Sequence, residues 1–357
     1  MPRPISILIA DDSKPVREML KHIIATDPTL VLAGEATNGL EAVHLTREVK
    51  PDVIAMDVVM PDLDGLEATR RIMSETPTPI VIISSLYDPQ NSVQNFEALA
   101  AGAIALLAKP TLSGDGKGEW NTLLATLKAV SRIRDPHPTI MREIPRKPIP
   151  LPQPEISGAP ARVCPRLVAI GTSTGGPKAL AQLFADLPAD FPLPLVVVQH
   201  ISPGFLEGMV NWLGPLTPLR VKIATPGEVC QPGVIYFAPD GVHTGVDRNL
   251  RITQSNTPSL HNVRPAVTHL FQSVARNLGA ASIAILLTGM GDDGARALKE
   301  IRDAGGETIA ESEETALLFG MPREAIRCGA AHSVLPLYRM ANYLTTYLRQ
   351  AQTKWTR

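Results

Sequence analysis

The chain has 357 residues, more than one ordinary domain needs and enough for two, each with its own core. Apolar residues make up 44% of it, and 34 Lys and Arg nearly balance 35 Asp and Glu, which excludes a protein that holds nucleic acid by net charge. Apolar runs such as 195–198 and 283–287 are too short to span a bilayer, and the first residues carry too short an apolar run for a signal peptide. The three cysteines, Cys164, Cys230 and Cys328, are odd in number, widely spaced and without a CxxC pair. A disulfide framework or zinc site is therefore not expected, and the reading is a soluble, cytoplasmic protein without membrane insertion.

Strands and helices alternate from the start. Apolar runs at Ile5–Ala10, Leu30–Ala36, Val53–Met56, 80–83 and 103–107 are strand candidates. Between and after them, 15–25, Gly39–Val49 and 120–133 have helical spacing. Such a βα repeat predicts a parallel sheet with helices on both faces, whose strands read as continuous apolar runs. Nine prolines then fall between 136 and 165. Proline fixes φ and lacks an N–H, so this stretch is expected as a semi-extended linker over 132–164. It separates a first domain, 1–131, from a second, 165–351. The second repeats the rhythm, with strands expected at 167–171, Leu195–Gln199, 234–238 and 283–288 and helices at 178–187, 266–278 and 295–304. The fold class is α/β in both halves.

Ligand sites of open α/β sheets lie at the carboxyl ends of the strands. In the first domain Asp11 and Asp12 follow the first strand, Asp57 the third, Ser84 the fourth and Lys109 the fifth. Three carboxylates brought together repel unless a cation joins them, and oxygen ligands of this kind suit Mg²⁺. With a lysine and a hydroxyl beside them, the set fits phosphoryl transfer onto a carboxylate. The words IADDS, ATNGLEAV, MDVVMPDLDGLEATRRI, PIVIISS and AKP make this half resemble response-regulator receiver domains, with a flavodoxin-like (βα)5 fold. The resemblance implies Asp57 as phosphoacceptor, Asp11 and Asp12 with Asp57 as Mg²⁺ ligands, Ser84 as switch hydroxyl and Lys109 as phosphate contact. Many receivers carry an aromatic residue three positions before that lysine, where this chain has Leu106.

In the second domain the segment 171–175, Gly-Thr-Ser-Thr-Gly, satisfies G-x-S-x-G on a strand-to-helix turn. The motif by itself fits either an exposed nucleophile, Ser173, or a loop for a phosphate or nucleotide. His200 follows the next strand, and the segment 285–294, ILLTGMGDDG, places two further carboxylates after another strand. A serine nucleophile needs a base, and the base needs an acid to fix its tautomer. The order Ser, His, Asp differs from that of the α/β-hydrolase family, where the acid precedes the histidine.

The words IGTSTGGPKAL, QHISPGF, GVIYFAPDGVH, RPAVTHLFQSVA, LTGMGDDG, GGETIAESEET and FGMPREAI resemble the chemotaxis protein-glutamate methylesterase (CheB) family. The resemblance implies a doubly wound parallel-sheet catalytic domain with Ser173 as nucleophile, His200 as general base and Asp293, chosen over Asp292 by the family's TGMGxDG pattern, as orienting acid. It implies Met290 and Thr174 in the oxyanion region and no cofactor in the catalytic domain. It also implies hydrolysis of glutamate γ-methyl esters, with glutamine deamidation, on chemoreceptor cytoplasmic domains, and a chemotaxis histidine kinase as phosphodonor. Unphosphorylated, the receiver is expected to cover the Ser173 cleft. The chain departs from the family at Ala266 and Thr268, where Ser and Asp are usual, and at Glu311, where Gln is usual. The alternative is a phospho-switched binding protein with a silent second domain.

Overall fold

The computed structural model describes residues 3–84, 92–110, 117–133, 163–261 and 263–355. Most of the stretch expected as linker lies outside the described residues. The chain divides into two compact units, Met1–Ile144 and Pro145–Arg357. No helix among the described residues is long and apolar enough to cross a membrane.

In the first unit the strands are β1 (Ile5–Ala10), β2 (Leu30–Ala36), β3 (Val53–Met56), β4 (Ile80–Ser84) and β5 (Ala105–Ala108). The helices are α1 (Lys14–Ala25), α2 (Gly39–Val49), α3 (Gly65–Glu75), α4 (Ser92–Ala100) and α5 (Lys117–Val130). The sheet runs β2-β1-β3-β4-β5 with parallel pairing throughout. That is the doubly wound order whose switch point lies between β1 and β3. Every residue of β3 and β4 is buried, as a strand covered on both faces requires. Helix starts follow side-chain caps: Asn38 accepts the Glu41 N–H and Asp64 the Glu67 N–H. The strand expected from 103 begins at Ala105: the Ala103 N–H still donates back to Ala98 O at the end of α4, and Ile104 is the first residue to reach β4, through Ile80 O.

The second unit holds β6 (Leu167–Thr172), α6 (Gly176–Ala185), β7 (Leu195–Gln199), α7 (Leu206–Leu213), β8 (Arg220–Ile223), β9 (Val234–Phe237), β10 (His243–Val246) and β11 (Ile252–Ser255). After these come α8 (Val267–Asn277), β12 (Ser282–Leu286), α9 (Ala295–Asp303), β13 (Glu307–Glu311), α10 (Met321–Arg327), β14 (Ser333–Leu335) and α11 (Leu337–Trp355). The seven-stranded sheet runs β14-β13-β12-β6-β7-β9-β8, all parallel, and β10 and β11 form a separate antiparallel pair. From β6 the chain winds outward through β7 to β9, then returns to β12 on the other side. The switch point therefore lies between β6 and β12. Both faces of the sheet are covered. Leu167, Ala169, Ala284 and Leu286 pack in a core with Val267, Leu270 and Leu298 of α8 and α9. Val168, Ile170, Ile283 and Ile285, which point the opposite way, are equally buried.

Candidate phosphoacceptor and active sites

In the first unit the strand ends carry the acids to the switch point. Asp11 and Asp57 are buried and Asp12 is exposed, and a ligand atom from each of the three lies within 4.8 Å of the others. The Lys109 ammonium reaches Asp57 Oδ2 at 2.6 Å and Asp11 Oδ2 at 2.7 Å. Burial pushes the Asp57 carboxyl above the usual carboxylate range despite the opposing pull of Lys109, and Asp11 adds to the rise. Lys109 itself is raised, since its two carboxylate partners outweigh its own burial. Ser84 ends β4, buried, and its carbonyl accepts the Lys109 N–H at 2.8 Å. Backbone contacts seat the acids: Val58 N–H donates to Asp57 Oδ1 and Ser13 N–H to Asp11 Oδ1. Arg17 holds the turn after β1 through the Asp11 and Asp12 carbonyls. Gly65 packs so closely under this site that a Cβ there would lie 1.9 Å from the Asp57 carbonyl oxygen.

In the second unit Ser173 stands in the turn between β6 and α6. Gly175 has φ +84°, a conformation that favours glycine, and lets the strand reverse into the helix within three residues. The end of β7 lies alongside, with Thr172 paired to Gln199, and the His200 N–H donates to the Thr172 carbonyl at 2.9 Å. Ser173 and His200 are thus the next residues out from adjacent parallel strands. Gln199 ties the two together: its buried amide donates to the Ser173 and His200 carbonyls at 2.8 and 2.7 Å.

Asp293 comes from the loop after β12. Its Oδ2 lies 2.9 Å from His200 Nε2. The same carboxylate accepts the Val267 N–H at 2.7 Å and the Thr268 N–H at 2.9 Å, the first amides of α8. Burial would raise its pKa, but His200 and the hydrogen bonds from Thr268 overcome that and leave Asp293 below the ordinary carboxylate range. An ionised acid on Nε2 fixes that nitrogen as the proton-bearing one, so Nδ1 is the nitrogen available as base. Asp292 is turned away and pairs with His261 at 3.1 Å.

Thr174 and Met290 lie in the two loops that meet here. The Thr288 hydroxyl donates to the Thr174 carbonyl at 2.9 Å, and Met290 is exposed two residues further on. Among the departures from the family pattern, Thr268 stands directly on the acid, its N–H on Asp293 and its hydroxyl accepting the Gly294 N–H at 2.9 Å.

Sequence reasoning missed three supports of this site. Gln199 ends the strand LVVVQ that precedes His200, but its type offers no chemistry of its own. Thr288 closes the strand expected at 283–288. In the structure β12 ends at Leu286, and the Thr288 N–H donates to the Glu311 side chain instead of to a neighbouring strand. The segment around 307–311 gave no strand expectation because glutamates bracket it, yet it forms β13 with both glutamates buried.

A phosphoacceptor-like acidic pocket on one α/β unit and a Ser-His-Asp arrangement on another define a response-regulator enzyme. The response regulator receiver domain model matches residues 7–115, and the CheB methylesterase model matches residues 168–344. A protein-glutamate methylesterase/protein-glutamine glutaminase of Myxococcus xanthus is 43% identical over 97% of this chain and 98% of its own length. One from Methanospirillum hungatei is 40% identical over 98% of this chain and 99% of its own. The CheB methylesterase catalytic domain of Thermotoga maritima is 39% identical, covering 51% of this chain and 98% of that domain, with a TM-score of 0.49. The chain belongs to the CheB family of protein-glutamate methylesterases/protein-glutamine glutaminases.

Proposed function

We propose that this chain hydrolyses glutamate γ-methyl esters, and deamidates selected glutamines, on the cytoplasmic domains of methyl-accepting chemoreceptors, under the control of phosphorylation at Asp57. The observation that carries the reading is the 2.9 Å His200–Asp293 bond beside the Ser173 turn, at the switch point of the sheet. It is supported by relatives of that name along nearly the whole chain.

Ser173 Oγ attacks the ester carbonyl and passes its proton to His200 Nδ1. Asp293 keeps the other ring nitrogen protonated and stabilises the imidazolium that forms. Backbone amides of the Thr174 and Met290 loops stabilise the oxyanion. His200 then returns the proton to the leaving methoxide, and methanol departs. Water, deprotonated by the same histidine, attacks the acyl-enzyme, and His200 returns that proton to Ser173 Oγ as the acyl bond breaks, releasing glutamate and restoring the serine. With glutamine the leaving group is ammonia and the steps are the same.

In the receiver, Asp57 accepts a phosphoryl group from a histidine kinase. Asp11, Asp12 and Asp57 offer hard oxygen ligands close enough to share one Mg²⁺ ion, and the donor set fits that ion. Bound there, Mg²⁺ supplies charge neutralisation for the transferred group. Lys109 takes a phosphoryl oxygen in exchange for the carboxylates it now holds, and the Ser84 hydroxyl takes another. The domains are the receiver, 1–131, the linker, 132–164, and the catalytic domain, 165–351, and the enzyme works in the cytoplasm where receptor methylation helices are exposed.

Methanol release from a methylated chemoreceptor fragment tests the reading. Ser173→Ala is expected to lower release by about 10⁴-fold or more, leaving only the contribution of binding and oxyanion contacts. Wild-type release from the Ser173→Ala protein would remove the nucleophile and turn the reading toward a phospho-switched binding protein.

A further inference from the structure

The carboxyl end of β13 buries a charge-bearing group that takes no part in the steps above. Glu311 has no solvent exposure. Its Oε2 accepts the Thr288 N–H at 2.7 Å. Thr288 is the residue on which the nucleophile turn is mounted. Its carbonyl accepts the Ser173 N–H and the Thr172 hydroxyl, both at 3.0 Å. Its hydroxyl donates to the Thr174 carbonyl at 2.9 Å and accepts the Leu318 N–H at 2.9 Å. Glu311 therefore stands one residue behind three consecutive residues of the β6–α6 turn.

We propose that Glu311 is a positioning residue for the ester hydrolysis: through the Thr288 N–H it fixes the turn that carries Ser173, and the hold tightens when its carboxyl is ionised. The inference rests on Ser173 being the nucleophile.

A hydrogen bond to an ionised acceptor is shorter and stronger than one to a neutral acceptor. Burial pushes the Glu311 carboxyl up to about 7, against the pull of the Thr288 N–H and the Thr315 hydroxyl, so both forms exist near neutrality. Charged groups on the packed elements are engaged elsewhere. Arg302 of α9 acts on Glu307 at the other end of the strand, and Lys299 pairs with Asp303. On α10, Arg323 and Arg327 pair with Glu324. His332, before β14, lies 3.9 Å from Glu307, and Glu314 of the following loop accepts from Tyr338. Among these groups none adds a charge interaction to Glu311. Small displacements of a nucleophile lower turnover without weakening substrate binding, so the effect belongs to kcat.

The test follows methanol release by the full-length chain from about pH 5.5 to 8.5, with kcat and KM separated. Glu311→Gln keeps an oxygen acceptor for the Thr288 N–H but cannot titrate. It is expected to retain kcat within about twofold at neutral pH, and the wild-type profile is expected to carry an ionisation near 7 that this variant lacks. Glu311→Leu removes the acceptor and is expected to lower kcat about tenfold or more with KM unchanged. Wild-type kcat in the leucine variant, or a glutamine variant whose pH profile superimposes on the wild type, overturns the proposal. Should the leucine variant not fold, the glutamine comparison decides alone. Ser173→Ala is measured in parallel: if it is inactive, those results refute the role of Glu311 only, and if it is active, the nucleophile assignment falls with it.

Discussion

Asp293 is held by three donors, and each has a separate structural origin. His200 Nε2 comes from the end of β7, and the Val267 and Thr268 amides come from the start of α8. An asparagine of the same shape cannot satisfy all three, because its amide nitrogen must turn toward either the ring or the helix. If it faces the ring, Nε2 becomes an acceptor and the proton moves to Nδ1, where a base is needed. If it faces the helix, a buried N–H loses its partner. Asp293→Asn is therefore expected to lower kcat by about 10³- to 10⁴-fold while leaving substrate binding nearly unchanged, as steady-state methanol release will show. An equal loss in an Asp292→Asn protein would reassign the acid. These residue types were legible one by one in the motifs. Spacing did not distinguish Asp292 from Asp293, since both follow the same glycine turn; the family pattern pointed to Asp293, and in the structure Asp293 pairs with His200 while Asp292 pairs with His261.

The elements were legible where they are apolar and regular. β1, β2, β3 and β7 occupy the residues expected from their runs; for β3 and β7, buried along their whole length, the reason is that a strand covered on both faces needs continuous apolar sequence. β8 and β13 escaped for the opposite reason: Arg220 and Lys222 decorate the first, and glutamates close the second at both ends. α3 was hidden behind the glycine that starts it. Gly65 is needed because α3 begins against the backbone of the β3–α3 loop, where a Cβ would lie 1.9 Å from the Asp57 carbonyl oxygen. Backbone is a rigid obstacle, so Gly65→Ala must displace the helix or the Asp57 loop. A destabilisation of about 2–3 kcal/mol in chemical unfolding of the receiver is expected. Labelling of Asp57 by a small-molecule phosphodonor should fall with it. Full labelling at wild-type stability would show that the loop absorbs the methyl group.

At the scale of the whole molecule, two compact units each carry a complete α/β sheet with its own switch point. Each unit closes its own hydrogen-bonded sheet and core, so the second is expected to fold and turn over alone. Residues 145–357 by themselves should release methanol at a rate indifferent to phosphodonor and Mg²⁺, and faster than the unphosphorylated full-length chain. A slower fragment would mean that the receiver activates by addition and not by relief. In the full-length chain, phosphodonor with Mg²⁺ should raise the rate. The change in charge at Asp57 is local, and its effect depends on the two-state response of the unit that carries it.

The sequence alone determined the class of fold, the division into two units and the family. Periodicity, proline content and motif words are local properties, and each survives being read one segment at a time. It also named the residue types that carry the chemistry. Tertiary structure alone decided which ring nitrogen of His200 the acid takes. It also decided that Gln199, Thr288 and Glu311 form the mount beneath the Ser173 turn. Those are relations between residues 23 to 93 positions apart, joined by hydrogen bonds between strand ends and the loops that follow them, and nothing in the local pattern of either partner encodes them.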